Sequence, residues 1–443
     1  MFELHCRDSL YFYDPILGRV YDAEKEIINP LEFDHVAYLT NDHVPTKDST
    51  EEYLQNHTKI VDSTHYQESR RPEVEKVKLL DIMFGMKCNY RCKYCLQNDA
   101  RADIAFDEKQ FIEVIQRSNI DLKNIRQIRL WGGEPFVYWG RFKEIVRVLR
   151  ERLGYEGKIW TVSNGSLFNQ DKCSFCLENQ VAVMFSHDGR AQTILRNKHD
   201  YLDDLNIRQA VIRQLKAGRQ YMGFRKNFSV SGGILMVLGP YNLDIEDSLD
   251  YLEKKLFENF PSKIATVFKA DRRSKDILDA YGANGLDTLK NNLLKGLRLE
   301  EGERFYSYFY NFRRLRDTVS RHLLYGLPFA SFKARCPSYL SAERLAFDTE
   351  GRILVCYADT PNSPHNHGNI EDLEHVHWDL KSIHERSLCR DCPYVAACMG
   401  GCPMLDDEDH AIRCKSMMPY NQALFESAFE EVFRDRIIAI RKV

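Results

Sequence analysis

Hydrophobic and polar positions follow one rhythm near the N-terminus and another from Val77 onward. In the first stretch, LYFYD and RVYDA flank a turn at Ile16-Leu17-Gly18, and their pattern predicts a short β-hairpin within residues 2–20. Polar, helix-compatible stretches follow around 50–57 and 62–71. From Val77, short apolar runs at 78–84, 127–130, 158–162, 181–186, 228–238 and 263–268 alternate with helical patterns. The helices are expected at 106–118, 142–153, 170–178, 207–217 and 245–257. Six strands alternating with helices predict βα units and a parallel sheet. A closed eight-stranded barrel takes about 250 residues. Residues 78–270 fall short of that, so the fold class expected is α/β, with a partial (β/α)6 TIM-like barrel.

Composition narrows the classes. At 443 residues, 44% apolar and 12% aromatic, the chain is too long for one core and rich enough for two or three. A net charge of −3 points to neither nucleic acid nor an anionic membrane as partner. No apolar run is long enough to span a bilayer, and MFELHCRDSL lacks a basic-then-apolar signal pattern, so a cytoplasmic location is expected. Thirteen cysteines in such a chain argue for metal or redox use rather than disulfides.

The densest chemistry lies in MKCNYRCKYCLQN, residues 86–98, where Cys88, Cys92 and Cys95 stand as C-x3-C-x2-C with Tyr94 before the last. Three thiolates from one loop can hold three irons of a [4Fe–4S] cube and leave the fourth open. A structural zinc site wants four ligands. The loop follows the first expected strand, and in parallel sheets chemistry gathers at such carboxyl ends. WGGEPF follows the second strand, with Gly132, Gly133 and Glu134. Ser163-Asn164-Gly165 follows the third and Ser186-His187-Asp188-Gly189 the fourth.

On these motifs the chain resembles the radical S-adenosylmethionine (SAM) superfamily. The resemblance implies that SAM chelates the open iron, and that one electron from the cluster cleaves it to methionine and a 5′-deoxyadenosyl radical. It assigns Gly132, Gly133 and Glu134 to the methionyl amine, and Ser163, Asn164, Ser186 and Tyr94 to further SAM contacts. Asp188 is expected either to touch SAM or to cap the next helix. Arg196 lies near where relatives pair an arginine with the SAM carboxylate, and Leu238 where they offer backbone to the adenine. A flavodoxin- or ferredoxin-type electron donor is implied as well. Cys173 and Cys176 share one face of an expected helix and read as structural; Cys6 has no role.

Seven cysteines remain between 336 and 414: Cys336, Cys356, Cys389, Cys392, Cys398, Cys402 and Cys414. Their spacing, with Gly351 before Cys356 and Gly368-Asn369-Ile370 after it, resembles the SPASM extension of radical SAM enzymes. That implies two auxiliary [4Fe–4S] clusters, for three in all. Cys389, Cys392, Cys398 and Cys414 would ligate the outer one, and Cys336, Cys356 and Cys402 the inner one. No cysteine in 327–335 supplies a fourth inner ligand, so that iron is expected to be open or held by another group.

The expected organisation is an N-terminal element (1–77, with a peptide-binding role among its readings), the barrel (78–270), a helical bridge (271–335), a small loop-rich iron–sulfur domain (336–420) and a C-terminal helix (421–443). The aromatic and basic run from Arg304 reads as a packed helix ahead of a peptide groove. The leading functional expectation is a maturase that forms a thioether or carbon–carbon cross-link in a ribosomally made peptide or protein substrate. A formylglycine-generating sulfatase maturase and a small-molecule radical dehydrogenase are the alternatives. Relatives of the former carry an acid after the second SPASM cysteine; here Tyr357 follows Cys356, a poor base at neutral pH, with Asp359 two residues on.

Overall fold

The computed structural model describes residues 1–15, 18–29, 74–95, 97, 103–221, 232–267, 271–326, 343–356, 358–361, 363, 368–376, 386–398 and 400–443. The stretches expected at 50–57 and 62–71, the segment 327–335, Cys336 and Tyr357 lie outside them, as does the start of the strand expected from 228. The described strands, in chain order, are β1 (Phe2–Cys6), β2 (Leu10–Asp14), β3 (Arg19–Tyr21), β4 (Leu79–Met83), β5 (Gln127–Trp131) and β6 (Lys158–Ser163), then β7 (Val181–Ser186), β8 (Gly233–Leu238), β9 (Ser262–Val267), β10 (Arg344–Asp348), β11 (Ile353–Leu354) and β12 (Ile437–Lys442).

Two compact units are built from these elements. One comprises Met1–Glu68, Tyr281–Arg335 and Leu380–Val443; the other comprises Ser69–Ala280 and Cys336–Asp379. The stretch expected as one domain, 336–420, is therefore divided between them. Its first part belongs with the barrel because β10 extends the barrel sheet through hydrogen bonds to β4.

The first unit carries an antiparallel sheet in the order β12-β1-β2-β3. The expected hairpin is β2 and β3. Against expectation, the C-terminal stretch is not helical throughout: the helix Asp407–Phe433 stops at Arg434, whose φ is 57°, and IIAIRK continues as β12 against β1. β-branched isoleucines favour that extended backbone. Tyr13 is fully buried against Phe425, with its hydroxyl 2.9 Å from His322 Nε2. The aromatic run from Arg304 packs inward, with Tyr308, Phe309 and Phe312 buried and the Phe309 ring seated over Gly296.

The second unit holds the sheet β11-β10-β4-β5-β6-β7-β8-β9. Strands β4 to β9 are six parallel strands in sequence order, as the apolar runs predicted. A seventh, β10, joins them in parallel beside β4, and β11 folds back on it. Gly351 makes that turn at φ 88°, where a side chain would be strained and would meet the Asn369 amide. Ile82, Ile128, Ile159, Val183, Phe185 and Met236 form the fully buried face of the sheet. The opposite face is the inner wall of the partial barrel. Asp81, Arg129, Trp131 and Trp160 touch one another there.

Candidate active site at the carboxyl ends of the strands

The cysteine loop leaves the end of β4 and is tied down by the end of β5. Gly133 N–H donates to Gly85 O at 3.0 Å and Glu134 N–H to Lys87 O at 2.9 Å. A Cβ on Gly132 would collide with the Gly85 carbonyl, and one on Gly133 with those of Met86 and Lys87. These glycines thus let two backbone segments touch, which is what fixes the cysteine loop. Two side chains that sequence reasoning missed complete the clamp. Tyr138 accepts the Lys87 N–H at 2.8 Å, and Arg141 donates to the carbonyls of Phe84 and Ile104 at 2.6 and 2.7 Å. Lys93 N–H reaches Leu195 O at 2.9 Å, tying the far side of the loop to the helix Gln192–Arg196.

Two of the three thiols, Cys88 and Cys92, sit among donors. Tyr90 N–H points at Cys88 Sγ at 3.4 Å, Asn164 Nδ2 lies 3.9 Å from the same sulfur, and Arg196 Nη1 lies 4.0 Å from Cys92 Sγ. Burial pushes the Cys92 thiol up to about 12; Arg196 opposes this, while Cys95 and Cys88 add to it. Packing several thiols together is costly unless a metal cation neutralises their thiolates, and donors directed at sulfur favour that charged form. Among the described residues no three His, Cys, Asp or Glu side chains stand close enough together to hold a metal ion, so a cluster on Cys88, Cys92 and Cys95 is what their spacing along the chain implies.

Glu134 is buried beside the loop. Its Oε1 accepts from the Ser163 hydroxyl at 2.8 Å and Phe136 N–H at 3.1 Å, and its Oε2 from Asn164 N–H at 2.6 Å. Burial still pushes its carboxyl up to about 7 against those donors. Asn164 in turn donates to Asn89 Oδ1 at 2.8 Å. The motifs after β5 and β6 thereby form one polar assembly facing the cysteine loop.

Asp188 serves a purpose that neither sequence expectation anticipated. Its side chain makes no cap to the turn that follows. Instead, Tyr94 donates to Oδ2 at 2.6 Å, Arg196 pairs with both oxygens at 2.7 and 3.1 Å, and Val237 N–H donates to Oδ1 at 3.1 Å. Its carboxylate is thus engaged by protein, and it locks Tyr94 and Arg196 beside Cys92. Asn242, also missed, links Asp188 O to Val237 O through its amide and accepts Gly239 N–H at 2.6 Å. Ser186 ends β7 partly exposed, and Leu238 ends β8 with its side chain fully buried.

Cys6, Cys95, Cys173, Cys176, Cys389, Cys392, Cys398 and Cys414 are free thiols. Cys173 and Cys176 are fully buried in the helix Gln170–Glu178, as a structural role requires. In the first unit, Cys398 lies close enough to Cys389, Cys392 and Cys414 to push each of their thiols up. Burial and these neighbours push Cys389 and Cys414 up to about 12. His410, unforeseen, lies 3.8 Å from both Cys389 Sγ and Cys414 Sγ and 3.1 Å from Gly400 O. Arg386 holds the neighbouring loop through the carbonyls of Cys402, Pro403 and Leu405. Of the remaining three, Cys402 belongs to the first unit and Cys356 to the second, where Ala358 N–H points at Cys356 Sγ at 3.3 Å.

Residues 82–252 match the Radical SAM superfamily. The Radical SAM cyclopropyl synthase TigE of Paramaledivibacter caminithermalis is 24% identical over 217 residues, 38% of this chain and 44% of that protein. The match thus spans less than half the length of this curated relative. Native anSMEcpe with bound AdoMet has a similar fold, with a TM-score of 0.52 at 16% identity over 80% of this chain and 99% of that chain. For native anSMEcpe with AdoMet and the Cp18Cys peptide the TM-score is 0.51 at 18% identity, over 80% and 98%.

Proposed function

Residues 82–252 form a radical SAM domain, and from that premise we propose that the protein cleaves SAM reductively and takes a hydrogen atom from a peptide substrate, leaving a thioether or carbon–carbon cross-link in a ribosomally made peptide. One observation carries this reading: Cys88 lies beside Asn164 and Cys92 beside Arg196 at the strand ends, with the Asn164 N–H bound to Glu134. Cys88, Cys92 and Cys95 would hold a [4Fe–4S] cluster, which when bound would supply the electron received from a flavodoxin- or ferredoxin-type donor.

The chain's own residues bind and orient. Glu134 Oε2 accepts only the Asn164 N–H among the contacts above, which leaves it capacity for the methionyl ammonium of SAM. Arg196 keeps Nη1 beyond its pairing with Asp188, directed where a SAM carboxylate or a cluster sulfur needs a donor. Cys389, Cys392, Cys398 and Cys414 would take one auxiliary cluster.

A peptide substrate is supported by the Cp18Cys peptide in the anSMEcpe structure. Formylglycine formation is the second reading, favoured by Asp359. That residue is buried, and its carboxylate accepts the Val355 N–H at 3.2 Å next to Cys356. Anaerobic coexpression with a short precursor encoded beside the gene decides between them by mass spectrometry. Loss of two hydrogens with one thiol blocked is expected for a thioether, and with every thiol still alkylatable for carbon–carbon coupling. A serine or cysteine converted to an aldehyde overturns the cross-linking assignment.

A further inference from the structure

The inner wall of the barrel carries a charge imbalance that SAM binding does not use. Across neighbouring strands, Ala346, Asp81, Arg129 and Trp160 stand in register on β10, β4, β5 and β6. Arg129 binds both oxygens of the buried Asp81 at 2.8 and 2.5 Å, and Arg344 reaches the same two at 3.1 Å. The Arg129 guanidinium also lies against the rings of Trp131 and Trp160, 4.7 and 5.1 Å from their centroids. Asp81 therefore already has two cations.

Lys158 adds a third. It precedes Trp160 by two residues on β6, so both point to the same face. Its ammonium lies 5.9 Å from the Trp160 ring centroid. Among the described residues the Lys158 Nζ and the Trp160 Nε1 are buried and have no hydrogen-bond partner. Burial pushes the lysine down to about 8. Asp348, another carboxylate of β10, is bound by Arg352 at 2.6 Å and offers no relief. Among the described residues no carboxylate forms an ion pair with Lys158. A buried ammonium and a buried indole N–H without acceptors are both costly, and a ligand oxygen removes both costs together. On the same face Trp160, Val162, Met184 and Leu235 are only partly buried.

We propose that Lys158 and the Trp160 indole form a carboxylate subsite on the inner wall, which takes an acidic side chain or the C-terminal carboxylate of the substrate peptide. This rests on the peptide-modifying reading above and narrows it to peptides that place an anion a few residues from the position attacked.

The test uses the full-length, anaerobically reconstituted protein and three probes titrated against tryptophan fluorescence. They are an acetylated, amidated Gly-Gly-Glu-Gly-Gly, its Gln counterpart, and acetylated pentaglycine with a free C-terminal carboxylate. At least one acid should bind about ten- to a hundredfold more tightly than the Gln peptide, as a charge-assisted hydrogen bond implies. Which acid does so identifies the source of the anion. The advantage should vanish in Lys158→Met and persist in Lys158→Arg, with iron content unchanged in both. Equal affinities for all three probes, or an undiminished preference in Lys158→Met, overturn the subsite. Should Lys158→Met fail to fold, protection of wild-type Lys158 from reductive methylation by the preferred acid but not by the Gln peptide is the supporting result, and its absence the opposing one. None of these measurements involves turnover, so their failure is separable from a failure to cleave SAM or to cross-link a precursor.

Discussion

Glu134 shows how a single side chain meets a structural and a functional demand. Its carboxylate gathers the Ser163 hydroxyl and two backbone N–H groups, and burial holds it at about 7 rather than in the ordinary carboxylate range. The ionised form is the one that accepts from an ammonium. SAM affinity should therefore fall as pH drops through about 7, because protonation removes the acceptor. Glu134→Gln should lower the affinity about ten- to a hundredfold, the range for a charge-assisted hydrogen bond, and abolish that pH dependence. Equilibrium dialysis of the reconstituted protein between pH 6 and 8 reads both effects, with iron content as the control. An unchanged affinity would remove Glu134 from the SAM site and leave it a purely structural residue.

At the scale of elements, the barrel is held together near β7 by a buried polar junction. His187 Nε2 lies 2.8 Å from Asp200 Oδ1 and accepts Gly189 N–H at Nδ1, so the neutral ring donates from Nε2. Tyr251 and Lys255, from the helix Ile245–Lys255, reach the other oxygen at 2.6 and 2.7 Å. Burial works to raise the Asp200 carboxyl, yet the hydrogen bonds from His187, Lys255 and Tyr251 hold it well below the usual range. A depressed folded-state value contributes stability that is present above the unfolded value of about 4 and lost as pH falls through the folded one. Asp200→Asn should thus cost about 3 kcal/mol at neutral pH, toward the lower end for breaking a buried pair. In urea unfolding, the gap between the two proteins should narrow steadily below about pH 4. A gap independent of pH would mean that Asp200 acts through shape rather than charge.

For the whole molecule, the Cys88, Cys92 and Cys95 loop and the Cys389, Cys392, Cys398 and Cys414 set belong to separate units, so their metals should be separable. Reconstituted protein should hold about twelve iron and about twelve sulfide, the content of three four-iron clusters. Replacing Cys88, Cys92 and Cys95 by Ala should remove about a third and end SAM cleavage. Replacing Cys389 and Cys392 should remove about another third while leaving the first cluster's SAM-perturbed EPR spectrum in place. Iron analysis and EPR distinguish these cases. Stoichiometric zinc without labile sulfide would overturn all three assignments.

The amino-acid sequence by itself determined the parts whose causes are local. Apolar runs separated by amphipathic stretches dictated β4 to β9, since a strand buried in a parallel sheet must be apolar along its length. Chain order then placed the C-x3-C-x2-C, GGE and SNG motifs at strand ends. Tertiary structure decided what depends on partners distant in sequence. That β10 pairs with β4, dividing 336–420 between two units, is set by hydrogen bonds across some 260 residues that no local pattern encodes. The close approach permitted by Gly132 and Gly133 is toward the backbone of Gly85 to Lys87, which only the folded loop reveals. Asp188 follows the same logic. A carboxylate after a strand reads as a cap or a ligand contact, whereas its partners Tyr94, Arg196 and Val237 come from three other segments. Spacing along the chain fixes which groups a short loop can present together; the fold fixes which groups those meet.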